Sequence, residues 1–299
     1  MAILNQTNDG LFHVLIILTR CLVAIGPSKK EKLLSLCAPE SIVDPKMARQ
    51  TLRRWTQIGF FQENEDVVRF SDDLPIKFTK RNLSNGDIAR VVRHLIFSPR
   101  NNERFWEAEG NMSADMCRIT AWILAQDVHE LRPTNFQEPE ALYLSQLETG
   151  DAIFQNNTRW NGFKSWCGFL GFGSTESGKS NGELVVDPTG AIKDVVRDVV
   201  KSTKNQSVDA FLSEIADLVP VLDRGVYRLE VESKLIASKW KKPGEHDVST
   251  SLSRALLRLQ SQDIIRLEKR SDSDAQVRLI GRGGEVVQSV THVVRGDAK

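Results

Sequence analysis

The sequence predicts a mainly helical α+β fold with small β-hairpins. Amphipathic helical stretches dominate both ends of the chain, and a pair of short β-rich segments around a polar turn follows each set of helices. Glycine, proline and capping residues separate these segments. Because the chain has 299 residues, we expect two or three domains and not one small core.

The first unit, predicted over residues 8–82, begins with two helices. Residues 10–25 have the apolar density of a buried helix, which Gly26 brings to an end. Ser28 is then expected to cap a short second helix that runs through Leu36.

A third helix is predicted over residues 44–58. Asp44 is its N-cap and Pro45 lies in its first turn, while Gly59 ends it. The apolar residues expected to face inward are Met47, Leu52 and Ile58. The residues expected to remain outside are polar or basic: Lys46, Arg49, Gln50, Arg53 and Arg54.

Two short strands, residues 60–62 and 67–70, are predicted to follow as a hairpin around the polar turn 63–66. Three helices followed by a β-hairpin is the element order of a winged helix-turn-helix domain. The order of the elements carries this prediction, and no single residue does.

The last unit, residues 207–284, is predicted to repeat this order with little similarity in sequence. Its predicted elements are a helix over 207–218, a strand over 226–229, helices over 230–238 and 248–262, and a hairpin with strands 264–268 and 276–280. The chain is therefore expected to carry tandem winged helix-turn-helix domains.

The middle of the chain is predicted to hold a third, degenerate winged helix. A connecting helix is predicted over 85–104. The elements of the degenerate winged helix itself are helices 113–126, 138–147 and 157–169, a Gly/Ser-rich loop over 171–182 and a strand over 183–186, and a helix over 192–200 leads into the last unit. Asn85 or Asp87 is expected to cap the connecting helix. The predicted domains are residues 1–82, 83–206 and 207–299.

Charge and hydropathy exclude several classes of protein. The chain has 40 basic and 39 acidic residues, so it lacks the basic excess of proteins that coat nucleic acid by charge alone. A local basic face is compatible with this balance. The longest apolar run, residues 11–25, is too short to span a bilayer, and we expect a cytoplasmic protein without membrane contact.

We predict no metal site, no cofactor and no catalytic centre. The four cysteines are widely spaced within apolar stretches, and the five histidines lack the spacing of metal ligands, so buried free thiols are expected. No serine lies in a nucleophile elbow. The sequence therefore predicts a protein that is not an enzyme.

One segment matches a nucleotide-binding pattern. Residues 173–180 fit the phosphate-binding loop G-x-x-x-x-G-K-[ST], with Lys179 as its lysine. In such a loop a helix begins at the lysine, whereas residues 183–186 predict a short strand. We therefore expect a wing tip or a partner-docking loop, and an ATP-dependent enzyme is the alternative.

Two helices are candidates for DNA contact, because the third helix of a winged helix enters the major groove. In the first unit the candidate contacts are Lys46, Arg49, Gln50, Arg53 and Arg54. In the last unit they are Lys239, Lys241, Lys242, Ser249, Thr250, Arg254 and Arg258. The acidic hairpin turn with Glu63, Glu65 and Asp66 is an objection in the first unit, because phosphates would approach there.

The opening residues Met1-Ala2-Ile3-Leu4-Asn5, the tripeptide Asp9-Gly10-Leu11 and the winged-helix order over nearly the full length carry a family resemblance. The chain resembles the DpdG-type proteins of bacterial gene clusters that insert 7-deazaguanine derivatives into DNA and restrict unmodified DNA. This resemblance implies an accessory role in DNA modification or phage defence, and it supplies no functional residue.

Two functions remain as alternatives. The first is a non-catalytic DNA-binding or adaptor subunit whose partners are double-stranded DNA and other protein subunits of a bacterial system. The second is a protein-interaction scaffold without DNA contact, since tandem winged helices also resemble the subunits that bridge chromosome-organising ATPase complexes.

Overall fold

The computed structural model describes residues 3–5, 11–107, 112–148, 152–175, 182–202, 205–271 and 276–297. It confirms a mixed α and β architecture with small sheets. The chain divides into two compact units, residues 1–116 and residues 117–299. The domain boundaries after residues 82 and 206 stay a prediction.

Unit 1 contains helices around a three-stranded antiparallel sheet. Its elements are α1 (Phe12–Ile25), β1 (Ser28–Lys29), α2 (Lys30–Cys37), α3 (Lys46–Ile58), β2 (Phe61–Asn64), β3 (Val67–Phe70) and α4 (Asn85–Phe97). The sheet order is β1-β3-β2, in which Phe61 pairs with Phe70. The predicted β2–β3 hairpin is therefore confirmed.

Apolar residues at helical spacing fix α3 in the core of unit 1. Leu52, Trp55 and Ile58 lie on one side of the helix, and all three are completely buried. Gly59 follows with a φ of 97°, a left-handed conformation that a side chain disfavours, and it ends the helix as predicted. The chain then turns into β2.

Two predictions at the start of unit 1 are wrong. Ser28 does not cap α2, because its backbone pairs with Val68 in the sheet and Lys29 occupies the N-cap position. Met47 is not an inward residue: it is 40% exposed, because the buried stripe of α3 begins one residue later, at Ala48.

The connecting helix is shorter than predicted. α4 ends at Phe97, because Pro99 disfavours a helical conformation at the residue before it. Its N-cap is Ser84, and Asp87 completes a capping box in which each side chain accepts the other residue's backbone N–H.

Unit 2 has more elements. The helices are α5 (Ala114–Ala125, which begins in unit 1), α6 (Gln137–Gln146), α7 (Asn157–Phe169), α8 (Thr189–Ser202), α9 (Val208–Leu218), α10 (Val226–Glu232) and α11 (Thr250–Ser261). The strands are β4 (Gly173–Thr175), β5 (Leu184–Val186), β6 (Asn205–Ser207), β7 (Asp247–Val248), β8 (Ile265–Glu268), β9 (Val277–Ile280), β10 (Val286–Val290) and β11 (His292–Arg295). The bounds of α7 agree with the prediction.

The described strands of unit 2 form three sheets, with the orders β4-β5, β6-β11-β8 and β10-β9-β7. Six elements of unit 2 follow the order found in unit 1. The corresponding pairs are α8 with α1, β6 with β1, α9 with α2, α11 with α3, β8 with β2, and β11 with β3. The strand orders β6-β11-β8 and β1-β3-β2 also correspond. In this alignment of elements, α11 is the counterpart of α3.

Two long segments of unit 2, residues 219–249 and 269–291, interrupt this common order. They pair with each other, because β7 in the first segment runs parallel to β9 in the second. Arg278 Nε donates to Asp247 Oδ1 at 2.6 Å across this pair. The two segments therefore form a substructure without a counterpart among the described elements of unit 1.

Two predictions for the last unit are wrong. The strand over 226–229 and the helix over 230–238 are replaced by α10, whose first turn is anchored because the N–H groups of Tyr227 and Arg228 donate to Pro220 O. The hairpin predicted from 264–268 and 276–280 does not form. Its strands lie in different sheets, because β11 pairs with β8 and β10 pairs with β9.

No helix among the described residues is long and apolar enough to cross a membrane.

Candidate nucleic-acid interface

The outward side of α3 carries a row of basic residues. Lys46, Arg49 and Arg53 are exposed, and Gln50 is partly exposed. Residues three and four positions apart share a face of a helix, so these four side chains lie in one row. Because the opposite side of α3 is anchored in the core, the direction of this row is fixed by the fold.

The first turn of α3 is set by the residues that precede it. Asp44 Oδ1 accepts the N–H of Lys46 at 2.8 Å, and Pro45 holds the N-cap position. The start of a helix carries a partial positive charge from its aligned peptide dipoles. That charge adds to the positive potential of the basic side chains nearby.

A concavity of about 380 Å³ lies over this row. The residues that line it are Lys30, Asp44, Pro45, Lys46, Arg49, Gln50 and Arg53. Four cationic side chains and one carboxylate thus surround the space, and we call this set the basic concavity. Phosphate oxygens are the complementary ligands for lysine and arginine in such an arrangement.

Lys30 was not among the predicted DNA contacts. It stands at the start of α2, and the structure brings it to the basic concavity beside α3. Only its position next to Lys29 in a basic stretch could have indicated it, because the approach of α2 to α3 depends on packing.

The acidic β2–β3 hairpin borders the basic concavity through Lys30. Glu63 Oε1 and Oε2 lie 2.8 and 3.0 Å from Lys30 Nζ, so one of the three carboxylates already has a cationic partner. Glu65 and Asp66 are exposed at the turn, with φ values of 48° and 61°. Left-handed conformations at two consecutive residues are those of a tight two-residue hairpin turn. Only Glu65 and Asp66 of the three acidic residues in this turn therefore remain to repel an approaching phosphate.

Arg54 does not share the face of its neighbours. It is 6% exposed, and its Nη1 lies 3.5 Å from Gln57 Oε1. Each residue advances by about 100° around a helix, which turns Arg54 away from Arg53 and towards the side of Thr51 and Ile58. The structure therefore does not place Arg54 with the exposed basic row.

The first residues of α11 are held within unit 2. Ser249 Oγ caps the helix and donates to Asp223 Oδ1 at 2.6 Å. Thr250 Oγ1 accepts the N–H of Val128 at 3.1 Å. Both predicted DNA contacts therefore serve to fix the start of α11.

The arginines of α11 are also engaged with their own unit. Arg254 donates to Val186 O at 2.8 Å and to Val128 O at 3.1 Å, and burial lowers the pKa of its guanidinium. Arg258 is exposed and forms an ion pair with Asp187. The side of α11 that corresponds to the exposed row of α3 is thus covered by residues 126–128 and 186–187.

The remaining predicted contacts lie at a cleft in unit 2 of about 540 Å³. Its exposed lysines are Lys239, Lys241 and Lys242. Its acidic residues are Asp127, Glu130, Glu138 and Asp247. Because the cleft contains charges of both signs in similar number, it lacks the positive excess of the basic concavity.

The segment that matches a phosphate-binding loop is described only at its start. Gly173–Thr175 forms β4, which pairs antiparallel with β5, and residues 176–180 lie outside the described residues. After the loop, residues 182–188 contain β5, and the next helix begins only at Thr189. The predicted strand after Lys179 is therefore confirmed.

The described residues define an α+β protein in which the exposed side of α3 is basic and lies in the same unit as a small sheet. The DpdG-like family matches residues 1–273, and the chain belongs to this family. The family resemblance seen in the sequence is thus confirmed, and it associates the chain with a DNA-modification system. No curated protein and no solved structure gives a significant match.

Proposed function

We propose that this chain is a non-catalytic DNA-binding subunit of a bacterial DNA-modification or phage-defence system. In this proposal unit 1 is a winged helix-turn-helix domain, and α3 is the helix that enters the major groove of double-stranded DNA. The observation that carries the proposal is the basic concavity, which four cationic residues (Lys30, Lys46, Arg49 and Arg53) and one acidic residue line.

The order of elements supports this assignment. Helix, strand, two helices and a two-stranded hairpin, with the first strand added beside the last, is the arrangement of a winged helix. Unit 2 repeats the order with α11 in the place of α3. Since α11 is bonded to its own unit along the corresponding side, we assign the DNA contact to unit 1 and a partner-holding role to unit 2.

The test is binding of the full-length chain to a fluorescent duplex at several salt concentrations. Arg49→Ala combined with Arg53→Ala should weaken binding by about tenfold or more, because two phosphate or base contacts are lost. The matched control is Arg81→Ala combined with Arg104→Ala, which removes two exposed charges of unit 1 that do not line the basic concavity. Equal losses in the two double variants would contradict a role for α3.

A scaffold without DNA contact is the second candidate, and exposed apolar residues favour it. Ile42 is 81% exposed in the turn between α2 and α3, and Leu36 and Val43 nearby are also exposed. Such residues often contact a protein partner. Absence of duplex binding at low salt, together with loss of co-purifying subunits on Ile42→Asp, would favour the scaffold.

A further inference from the structure

Lys30 connects the β2–β3 hairpin to the basic concavity. Its backbone N–H donates to Asp66 O at 2.8 Å, and its Nζ donates to both carboxylate oxygens of Glu63. A lysine makes contacts of the same kind with phosphate oxygens. Before any ligand binds, one of the four cations of the basic concavity is therefore neutralised by a side chain of the same unit.

We propose that Glu63 is an internal competitor for DNA phosphate at Lys30, an inference that rests on the DNA contact proposed above. The carboxylate occupies the place of a phosphate oxygen, 2.8 Å from the ammonium nitrogen. A duplex can use Lys46, Arg49 and Arg53 directly, but it gains Lys30 only by displacing Glu63. The displaced carboxylate then lies close to the phosphate and repels it.

The partial exposure of the pair makes this exchange feasible. The side chains of Lys30 and Glu63 are 27% and 28% exposed, so both reach solvent and neither is locked inside the core. Ion pairs of this kind contribute little to folding, and their strength decreases as salt rises. Removal of the carboxylate should therefore alter DNA affinity more than the stability of unit 1.

Glu65 provides a matched control on the same hairpin. It lies two residues beyond Glu63, is exposed, and makes no ion pair within the described part of the chain. Glu63→Gln and Glu65→Gln remove the same charge from neighbouring positions. Only the first releases Lys30.

The experiment measures duplex affinity against salt for the full-length chain and for Glu63→Gln, Glu65→Gln, Lys30→Gln and the Glu63→Gln/Lys30→Gln double variant. Glu63→Gln should bind about three- to tenfold more tightly, with a salt slope steeper by about 0.9, since one more cation meets a phosphate. The gain should vanish in the double variant. Glu65→Gln should change affinity by less than about twofold and leave the slope unchanged.

The inference is overturned if Glu63→Gln behaves like Glu65→Gln, or if its gain persists without Lys30. In that case the loss of Arg49 and Arg53 would still weaken binding, and the proposed function would stand. If the wild-type chain binds no duplex, both proposals fall together. Thermal unfolding followed by circular dichroism verifies that each variant is folded.

Discussion

Arg53 and Arg54 are adjacent in the sequence, and α3 places them in opposite environments. Arg53 is exposed and lines the basic concavity, whereas Arg54 is buried on the side of the core. Their side chains have the same length and charge, so the difference arises only from the turn of the helix. This pair separates the contribution of a residue to binding from its contribution to folding.

At the residue scale, Arg54→Ala should lower the free energy of unfolding by about 1–3 kcal/mol, because it removes packed methylene groups and the hydrogen bond to Gln57. Arg53→Ala should change it by less than about 0.5 kcal/mol. Urea unfolding of the two variants measures both values. If Arg54→Ala leaves stability unchanged and weakens duplex binding as Arg53→Ala does, then Arg54 belongs to the interface after all.

The sequence alone could predict those residues of the basic concavity whose placement depends only on helix geometry. The spacing of Lys46, Arg49 and Arg53 is sufficient to place them on one face. Lys30 could not be found in this way, because its contact with Glu63 joins residues 33 positions apart. Arg54 was misplaced because its charge predicts an exposed side chain, whereas its position three residues after Thr51 and four before Ile58 places it on the buried side of the helix.

At the scale of elements, the counterpart helices α3 and α11 differ in what covers them. α3 leaves its polar side open to solvent, while α11 is bonded along that side to the end of α5 and to β5. Ser251 Oγ, for example, donates to Leu124 O at 2.7 Å. One order of elements thus supports an open surface in unit 1 and an internal packing element in unit 2.

Ser249→Ala tests this role of α11. The variant loses the helix cap and the bond to Asp223, so the free energy of unfolding should fall by about 1–2 kcal/mol. Ser261→Ala is the control, because Ser261 is exposed in the last turn and bonds only locally to Arg258 O. Chemical denaturation measures both. Duplex affinity should be unchanged in each variant. A loss of affinity in Ser249→Ala but not in Ser261→Ala would indicate that α11 contacts DNA.

The elements themselves were predictable to different degrees. α7 and the β2–β3 hairpin follow local signals, namely an N-cap asparagine and a polar turn, and both were predicted. The pairing of β8 with β11 is not local, because the whole segment 269–291 lies between the two strands. Because β8 and β9 are neighbours in the sequence, local signals predict that they pair with each other, and this prediction is wrong.

At the scale of the whole molecule, a near-zero net charge restricts how the chain can bind DNA. With a formal charge of +1, attraction from a distance is weak, so we expect the proposed DNA binding to depend mainly on the basic concavity. Three to four cations there should give a slope of about −2.5 to −4 when the logarithm of the association constant is plotted against that of salt concentration. Fluorescence anisotropy across a salt series measures it. A slope steeper than about −7 would show that cations elsewhere take part.

The position of β11 has a consequence for how unit 2 forms during synthesis. This strand lies between β6 and β8, so that Val293 pairs with both Gln206 and Leu267. Both outer strands are therefore synthesised before their shared partner. Unit 1 can complete its sheet early in translation, whereas the β6-β11-β8 sheet of unit 2 is complete only after residue 295 emerges. A chain that stops before β11 would present unpaired strand edges to chaperones and proteases.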